Sequence, residues 1–331
     1  MELSYDLVVV GAGTAGIPCA AEAALGGATV LLVEKDHRIG GTLHVSGGHM
    51  AAAGTRRQAE RGITDSVEAH LADIRRISRG TAREDLVRIV AEHAAETVDW
   101  LADRGFRFAP EPPRIVYGHE PYETPRTYYG VDAGLSILEV LEGLLDEALA
   151  TGRLELWKNS PVIGLTTADD GRVTGVTVLR RGTEETAVRA RHVVLATGGF
   201  AAEPELFREL EGAPLVSAAH PTSTGDGILL ARELGAALQG TGSFLPTFGG
   251  LPDPTTPGRA NWNDRQLLIA AERPPVEIYV DKNGRRWVAE DELSIDAKER
   301  ALTRIPDMTF WTVFDDAMLE WTRSGRPLVV G

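Results

Sequence analysis

The apolar positions of the chain fall into two periods that alternate along its length. Leu7-Val8-Val9-Val10 is a continuous β-branched run, the pattern of a central parallel strand covered on both faces. Ile17, Ala20, Ala21 and Ala24 then follow at i, i+3, i+4 and i+7, one face of a helix. Pro18 lies in its first turn, where a missing N–H is tolerated, and Gly26-Gly27 ends it. A second apolar strand runs from Ala28 to Val33. Farther on, Val67, Leu71, Ile74 and Ile77 share a helix face that Thr64 or Asp65 can cap. A helix from about Glu84 to Arg104 is stopped by Gly105, and a leucine-rich helix carries Ile137, Leu138, Leu141, Leu144, Leu145 and Leu149. The stretch from Leu154 to Val194 reads as a β-meander with a hairpin turn at Asp170-Gly171. A buried strand then ends at Ala196-Thr197-Gly198-Gly199, and Thr224-Gly225-Asp226-Gly227 opens a helix to Leu234.

The punctuation of the first two strands carries chemistry. Gly11-Ala12-Gly13-Thr14-Ala15-Gly16 has the G-x-G-x-x-G spacing and sits between strand and helix. Gly11 permits a tight turn, Gly13 lets backbone approach a pyrophosphate, and Gly16 lets helix and strand pack closely. The helix N-terminus, with Thr14 and Ala15, offers free N–H groups to phosphate. The second strand ends in Glu34, which can accept hydrogen bonds from both ribose hydroxyls of an adenosine. Strand, glycines, helix, strand and acid in this order predict a dinucleotide site. Both FAD and NAD carry the ADP half. The continuation favours FAD, because Lys35, the loop Gly40-Gly41-Thr42 and the turn Ser46-Gly47-Gly48 supply further close backbone access.

At 331 residues there is room for two domains. The net charge of −14 repels phosphate backbones and anionic membrane, so neither nucleic acid nor membrane insertion is expected. Cys19 is the single cysteine, which excludes an internal disulfide and a Cys-ligated cluster. No metal-ligand spacing occurs, so redox chemistry must come from a bound organic cofactor. The N-terminus carries no basic leader, and a cytoplasmic location is the default expectation.

These residues together resemble the FAD-dependent oxidoreductases of the succinate dehydrogenase and fumarate reductase flavoprotein family, which also holds L-aspartate oxidase and 3-ketosteroid Δ1-dehydrogenase. The likeness also rests on Gly47-Gly48-His49-Met50-Ala51-Ala52, Thr97-Val98-Asp99-Trp100-Leu101, Ala196-Thr197-Gly198-Gly199-Phe200 and the hairpin Val280 to Trp287. It implies an α/β fold: a FAD-binding, Rossmann-like domain over 1–236 and a smaller α+β capping domain over 237–331. It implies non-covalent FAD, with Val162 lending backbone to the adenine and Asp226 near the flavin. It also implies hydride transfer between flavin N5 and a substrate carbon, making or reducing a C=C bond. Relatives return to the FAD domain after the cap, and the sequence shows no such segment, so both domains are expected to be incomplete. A catalytically silent flavin-binding module and an NAD-linked dehydrogenase are the alternative readings.

Fumarate-reducing relatives carry a His before Pro-Thr, a Thr-Glu pair and a proton-delivering Arg. Here Leu245-Pro246-Thr247, Ile269-Ala270 and Leu293-Ser294-Ile295 stand in those places. Two carboxylates would be poorly paired there, so the expected substrate is a small molecule other than a small dicarboxylate. The electron acceptor is not specified. Candidates for proton transfer lie in the loop from Tyr117 to Tyr129: Tyr128, Tyr129 and Arg126. The alternative for these tyrosines is that they pack the loop against the sheet.

Overall fold

The computed structural model describes residues 3–117, 120–247, 250–261, 275–316 and 320. The first βαβ unit is β1 (Leu3–Val10), α1 (Gly16–Leu25) and β2 (Val30–Val33). β1 and β2 pair in parallel, Val10 opposite Val33. A two-residue strand β3 (Met50–Ala51), a short α2 (Arg56–Glu60), α3 (Val67–Ser78) and α4 (Glu84–Asp103) follow. β4 (Thr127–Tyr128) pairs antiparallel with β3 and leads into α5 (Gly134–Ala150). Then come β5 (Leu154–Trp157), β6 (Val162–Thr167), β7 (Val173–Arg180) and β8 (Glu184–Leu195). Helices α6 (Pro204–Glu211) and α7 (Asp226–Glu233) precede the hairpin β9 (Leu251–Pro252) and β10 (Ala260–Asn261). β11 (Glu277–Val280), α8 (Ile295–Leu302) and β12 (Trp311–Phe314) complete the described elements.

The main sheet has the order β5-β2-β1-β8-β7-β6. Its first four strands are parallel and the last three alternate in direction. The expected meander is therefore corrected at one end. β6, β7 and β8 form it, with Gly171 in the expected turn, whereas β5 joins the opposite edge beside β2. Leu154 and Trp157 bury their side chains there, a pairing that a four-residue apolar run does not announce. The N-cap of α3 is likewise one residue on: Ser66 Oγ accepts from the Ala69 N–H, and Asp65 is engaged elsewhere.

One face of the sheet is covered by α1 and α5. Val9, Ile17, Ala20, Ala21, Ala24, Leu141, Leu144 and Leu145 form a single buried cluster on that side. Cys19 is partly buried against it. Val8, Val10, Leu31, Val33, Val162 and Val176 form a second cluster on the other face, with Leu230 of α7. Each fully buried Val or Leu contributes about 1.5–3 kcal/mol. This rigid base holds the loops at the carboxyl ends of β1, β2 and β8. The hairpin of β9 and β10 is bonded to the segment between α6 and α7 through Ser217, whose N–H donates to the Gly258 carbonyl.

Candidate functional site: a crevice at the carboxyl edge of the sheet

From β1 the chain moves to β2 on one side and returns through β8 on the other, so the strand order reverses between β1 and β8. Such a switch point opens a crevice at the carboxyl ends of the strands. Gly11 leaves β1 and Ala196 leaves β8 side by side, and Ala196 N–H donates to the Val10 carbonyl at 2.8 Å. Gly11 adopts a φ of 103°, and a Cβ there would lie 2.4 Å from the Ala196 carbonyl oxygen. A Cβ on Gly16 would lie 1.7 Å from the Gly11 carbonyl oxygen. The two outer glycines are thus demanded by chain packing. The middle one is different: a Cβ on Gly13 would meet nothing within 4 Å. Thr14 and Ala15 beside it are exposed.

Among the described residues no group accepts from the backbone N–H of Gly13, Thr14 or Ala15. Free donors at the positive end of a ten-residue helix, next to open space, suit a diphosphate. Glu34 stands beside them, 8% exposed. Its Oε2 accepts from the Ala12 N–H and its Oε1 from the Asp36 N–H, both at 2.8 Å. Each carboxylate oxygen keeps a further lone pair for a ribose hydroxyl. Ser160 and Asn159 donate backbone N–H to the carbonyls of Glu34 and Asp36, which brings the start of β6 and Val162 to the same end. The Val162 side chain itself is in the core.

Gly41 and Gly198 have open space at their Cβ positions, and Thr197, Gly198 and Gly199 line the crevice mouth after β8. Thr42 and Gly47 are exposed, whereas Gly48 is buried. A Cβ on Gly48 would lie 2.7 Å from the backbone of Ala133, so its glycine serves packing against α5. Ser46 serves the same junction, its Oγ accepting from the Gly48 N–H at 3.0 Å and its carbonyl from the Gly134 N–H. Lys35 and Asp226 pair with each other at 2.8 Å. His44 bonds through Nε2 to the Ile39 carbonyl at 2.8 Å, and His49 is exposed beside the Tyr129 ring.

A profile for an FAD binding domain matches residues 6–321. The chain belongs to the FAD binding domain family. FAD is accordingly its cofactor, and the free N–H groups beside Gly13 fit the diphosphate of that molecule. The chain is 31% identical over 326 residues to "Probable fumarate reductase Ifc3" of Shewanella frigidimarina, covering 97% of this chain and 52% of that protein. It is 31% identical over 291 residues to vinyl phenol reductase of Lactiplantibacillus plantarum, covering 87% of this chain and 57% of that protein. A solved 3-ketosteroid-delta4-(5alpha)-dehydrogenase from Rhodococcus jostii superposes with a TM-score of 0.71 at 28% identity, covering 96% of this chain and 68% of that one. The chain spans just over half the length of the two curated relatives.

The residues expected to transfer protons separate into two environments. Arg126 is 0% exposed and forks onto Asp65, Nε to Oδ2 at 3.0 Å and Nη2 to Oδ1 at 2.8 Å. Its Nη1 donates to Asp73 Oδ2 at 2.9 Å. Gln58 and Arg76 complete the cluster, donating to Asp65 and Asp73. Tyr128 is also 0% exposed, with its hydroxyl 2.5 Å from Thr55 Oγ1. Burial pushes that phenol up from its ordinary range. Both side chains are buried, and Arg126 borders a cavity of about 380 Å³ together with Asp73, Arg76 and Glu123. Sequence reading missed Asp65 and Asp73 as partners of Arg126; their eight-residue spacing, from just before α3 to its middle, was the available signal.

Tyr129 differs from both. It is partly exposed, 5.2 Å ring to ring from His49, with the Arg114 guanidinium 5.6 Å from its centroid. Burial and Glu111 raise its pKa, with Arg114 acting against them. Leu245 is 44% exposed and Leu293 94% exposed, and Ser294 Oγ is occupied as the N-cap of α8. Lys298 is buried with its ammonium on the Glu290 carbonyl at 3.3 Å. His119 and the pair Ile269-Ala270 lie outside the described residues. No described helix is long and apolar enough to cross a membrane.

Proposed function

We propose that the full-length protein is a FAD-dependent oxidoreductase that reduces or forms a carbon–carbon double bond in a substrate larger and less charged than fumarate. The observation that carries this is the crevice between β1 and β8, where three unbonded N–H groups and Glu34 converge on open space. Bound FAD supplies a hydride donor or acceptor at N5. Gly13, Thr14, Ala15 and Gly16 hold the diphosphate, Glu34 the ribose, and the backbone at Val162 the adenine. Gly41, Thr42, Ser46, Gly47, Ala196, Thr197 and Gly198 surround the remainder. Tyr129 holds the proton. A phenol carries its proton at neutrality, and Tyr129 is partly exposed beside His49 and Arg114, as a general acid in the reducing direction requires.

The preference against fumarate is supported by Leu245 and Leu293, which offer no charge or hydrogen bond to a carboxylate. The vinyl phenol and ketosteroid enzymes among the similar proteins act on substrates of the proposed kind. A division of the chain at about residue 237, and a cytoplasmic location, go with the same reading.

The test is anaerobic. Reduced full-length protein is mixed with fumarate, a vinyl phenol or a steroid enone, and reoxidation is followed by the return of flavin colour. Reoxidation by either uncharged alkene but not by fumarate supports the proposal, and rapid reoxidation by fumarate overturns the substrate class. Tyr129→Phe should slow that step by about 10²–10⁴-fold while leaving the flavin spectrum unchanged. An unaffected rate would remove Tyr129 from the reaction.

A further inference from the structure

The end of β2 and the start of α7 are joined by a strut of side chains. Lys35 Nζ donates to Thr224 Oγ1 at 2.6 Å and to Asp226 Oδ2 at 2.8 Å, across 189 and 191 residues of sequence. Thr224 Oγ1 in turn donates to Asp226 Oδ1 at 2.5 Å. The Lys35 and Asp226 side chains are 24% and 32% exposed, so water screens the pair only in part. One residue farther along, Asp36 faces His220, with Oδ2 3.9 Å from Nε2. His220 Nδ1 is fixed against Thr222 Oγ1 at 2.8 Å. Consecutive residues on one side therefore tie down the whole turn from His220 to Asp226.

Each end of the strut leads to a different wall of the crevice. On the β2 side, Lys35 follows Glu34, whose carboxylate is bonded to the Ala12 and Asp36 N–H groups. On the α7 side, Gly225 N–H donates to the Gly199 carbonyl at 3.1 Å, and a Cβ on Gly227 would lie 2.2 Å from Thr197 Oγ1. The first turn of α7 is thus seated directly on the Thr197–Gly199 bend. The charges of Lys35 and Asp226 neutralise each other, while Lys35 keeps a third N–H and each Asp226 oxygen a further lone pair.

We propose that Lys35 and Asp226 are positioning residues: together with Thr224 they set the spacing between the Glu34 wall and the Thr197–Gly199 wall, and they act on FAD as one unit. This rests on the reading of the crevice as the FAD site. It replaces two separate cofactor contacts by one internal brace.

A double-mutant cycle on the full-length protein tests it, with Lys35→Met, Asp226→Asn, the double variant and Lys35→Arg. FAD affinity is read by flavin fluorescence quenching, and the melting temperature of the apoprotein is read separately. Each single substitution should weaken FAD binding about tenfold, the double no more than the worse single, and Lys35→Arg should retain most of the affinity. Losses that multiply in the double variant would show two independent contacts and overturn the proposal, as would an unchanged affinity in Lys35→Met. Should Lys35→Met not fold, the same cycle with Lys35→Gln and Asp226→Asn must show the same non-additivity. Should the wild-type protein bind no FAD, the reading of the crevice fails; the apoprotein cycle still decides the strut, supported by non-additive melting shifts and refuted by additive ones.

Discussion

The crevice at Gly11–Gly16 and the cluster around Arg126 are both places where the sequence points to chemistry, and they are built in opposite ways. The crevice is made of backbone. Its donors are N–H groups, its shape follows from absent side chains, and it opens to solvent. The Arg126 cluster is made of side chains: Asp65 and Asp73 accept from the guanidinium, and Gln58 and Arg76 donate to those carboxylates. A backbone site is prepared for something that is not part of the chain. A paired charge cluster already holds its own ligands, and it fixes α3 to the loop before β4. A reactive residue type alone does not distinguish the two; unspent hydrogen-bonding capacity does.

The largest effects expected from breaking this contrast lie in packing. Arg126→Ala should remove about 3–5 kcal/mol of stability, because two buried carboxylates lose their counter-charge. Chemical denaturation measures it, and a loss below 1 kcal/mol would mean that water reaches the cluster. Gly16→Val should be comparably damaging, since the added carbon meets the Gly11 carbonyl. Its partner experiment, Gly13→Val, should leave apoprotein stability almost unchanged because the space there is open. Equal destabilisation by the two would erase the distinction between packing glycines and a ligand-facing one.

Tyr128→Phe sharpens the comparison at a smaller scale. It deletes one buried hydrogen bond to Thr55, a loss of about 1 kcal/mol, and should leave turnover intact. A collapse of turnover would return Tyr128 to the reaction.

The smallest effect is a pH slope. Burial, then the charge of Arg126, lowers the pKa of His70; Asp65 and Asp73 act the other way. Burial is also the chief cause at His220, with Arg38, His44 and Arg259 assisting against Asp36. The unfolded chain takes up these protons near about pH 6.5, while the folded chain resists them. Stability from this source is therefore full above that pH and is lost as pH falls toward the lowered folded values. His70→Leu should flatten the slope of melting temperature between pH 7 and pH 5, and an unchanged slope would place its origin elsewhere.

The nucleotide edge was legible because it follows local rules: a β-branched run, glycines at fixed spacing, a helical period and a terminal acid, all within the first 34 residues. The hairpin at Gly171 and the stop at Gly105 were legible for the same reason. The place of β5 was not, because Leu154–Trp157 has the same apolar pattern at either end of a sheet. The roles of Arg126 and Lys35 were not either. Their partners lie 53 to 191 residues away, and only the fold brings them together. Glu34 stands between these cases, since its position was set by spacing but its bonds to Ala12 and Asp36 required the structure.

The central claim is that the open side of Gly13 is where the diphosphate of FAD lies. The most direct measurement is titration of full-length apoprotein with FAD, for the wild type and for Gly13→Val, beside the melting temperature of each. The account predicts tight binding with a visible flavin band for the wild type. It predicts that binding is lost by at least about a hundredfold in Gly13→Val, because displaced N–H donors forfeit several charge-assisted bonds while the apoprotein stays equally stable. A wild type that stays colourless in excess FAD, or a valine variant that binds as tightly, would contradict it.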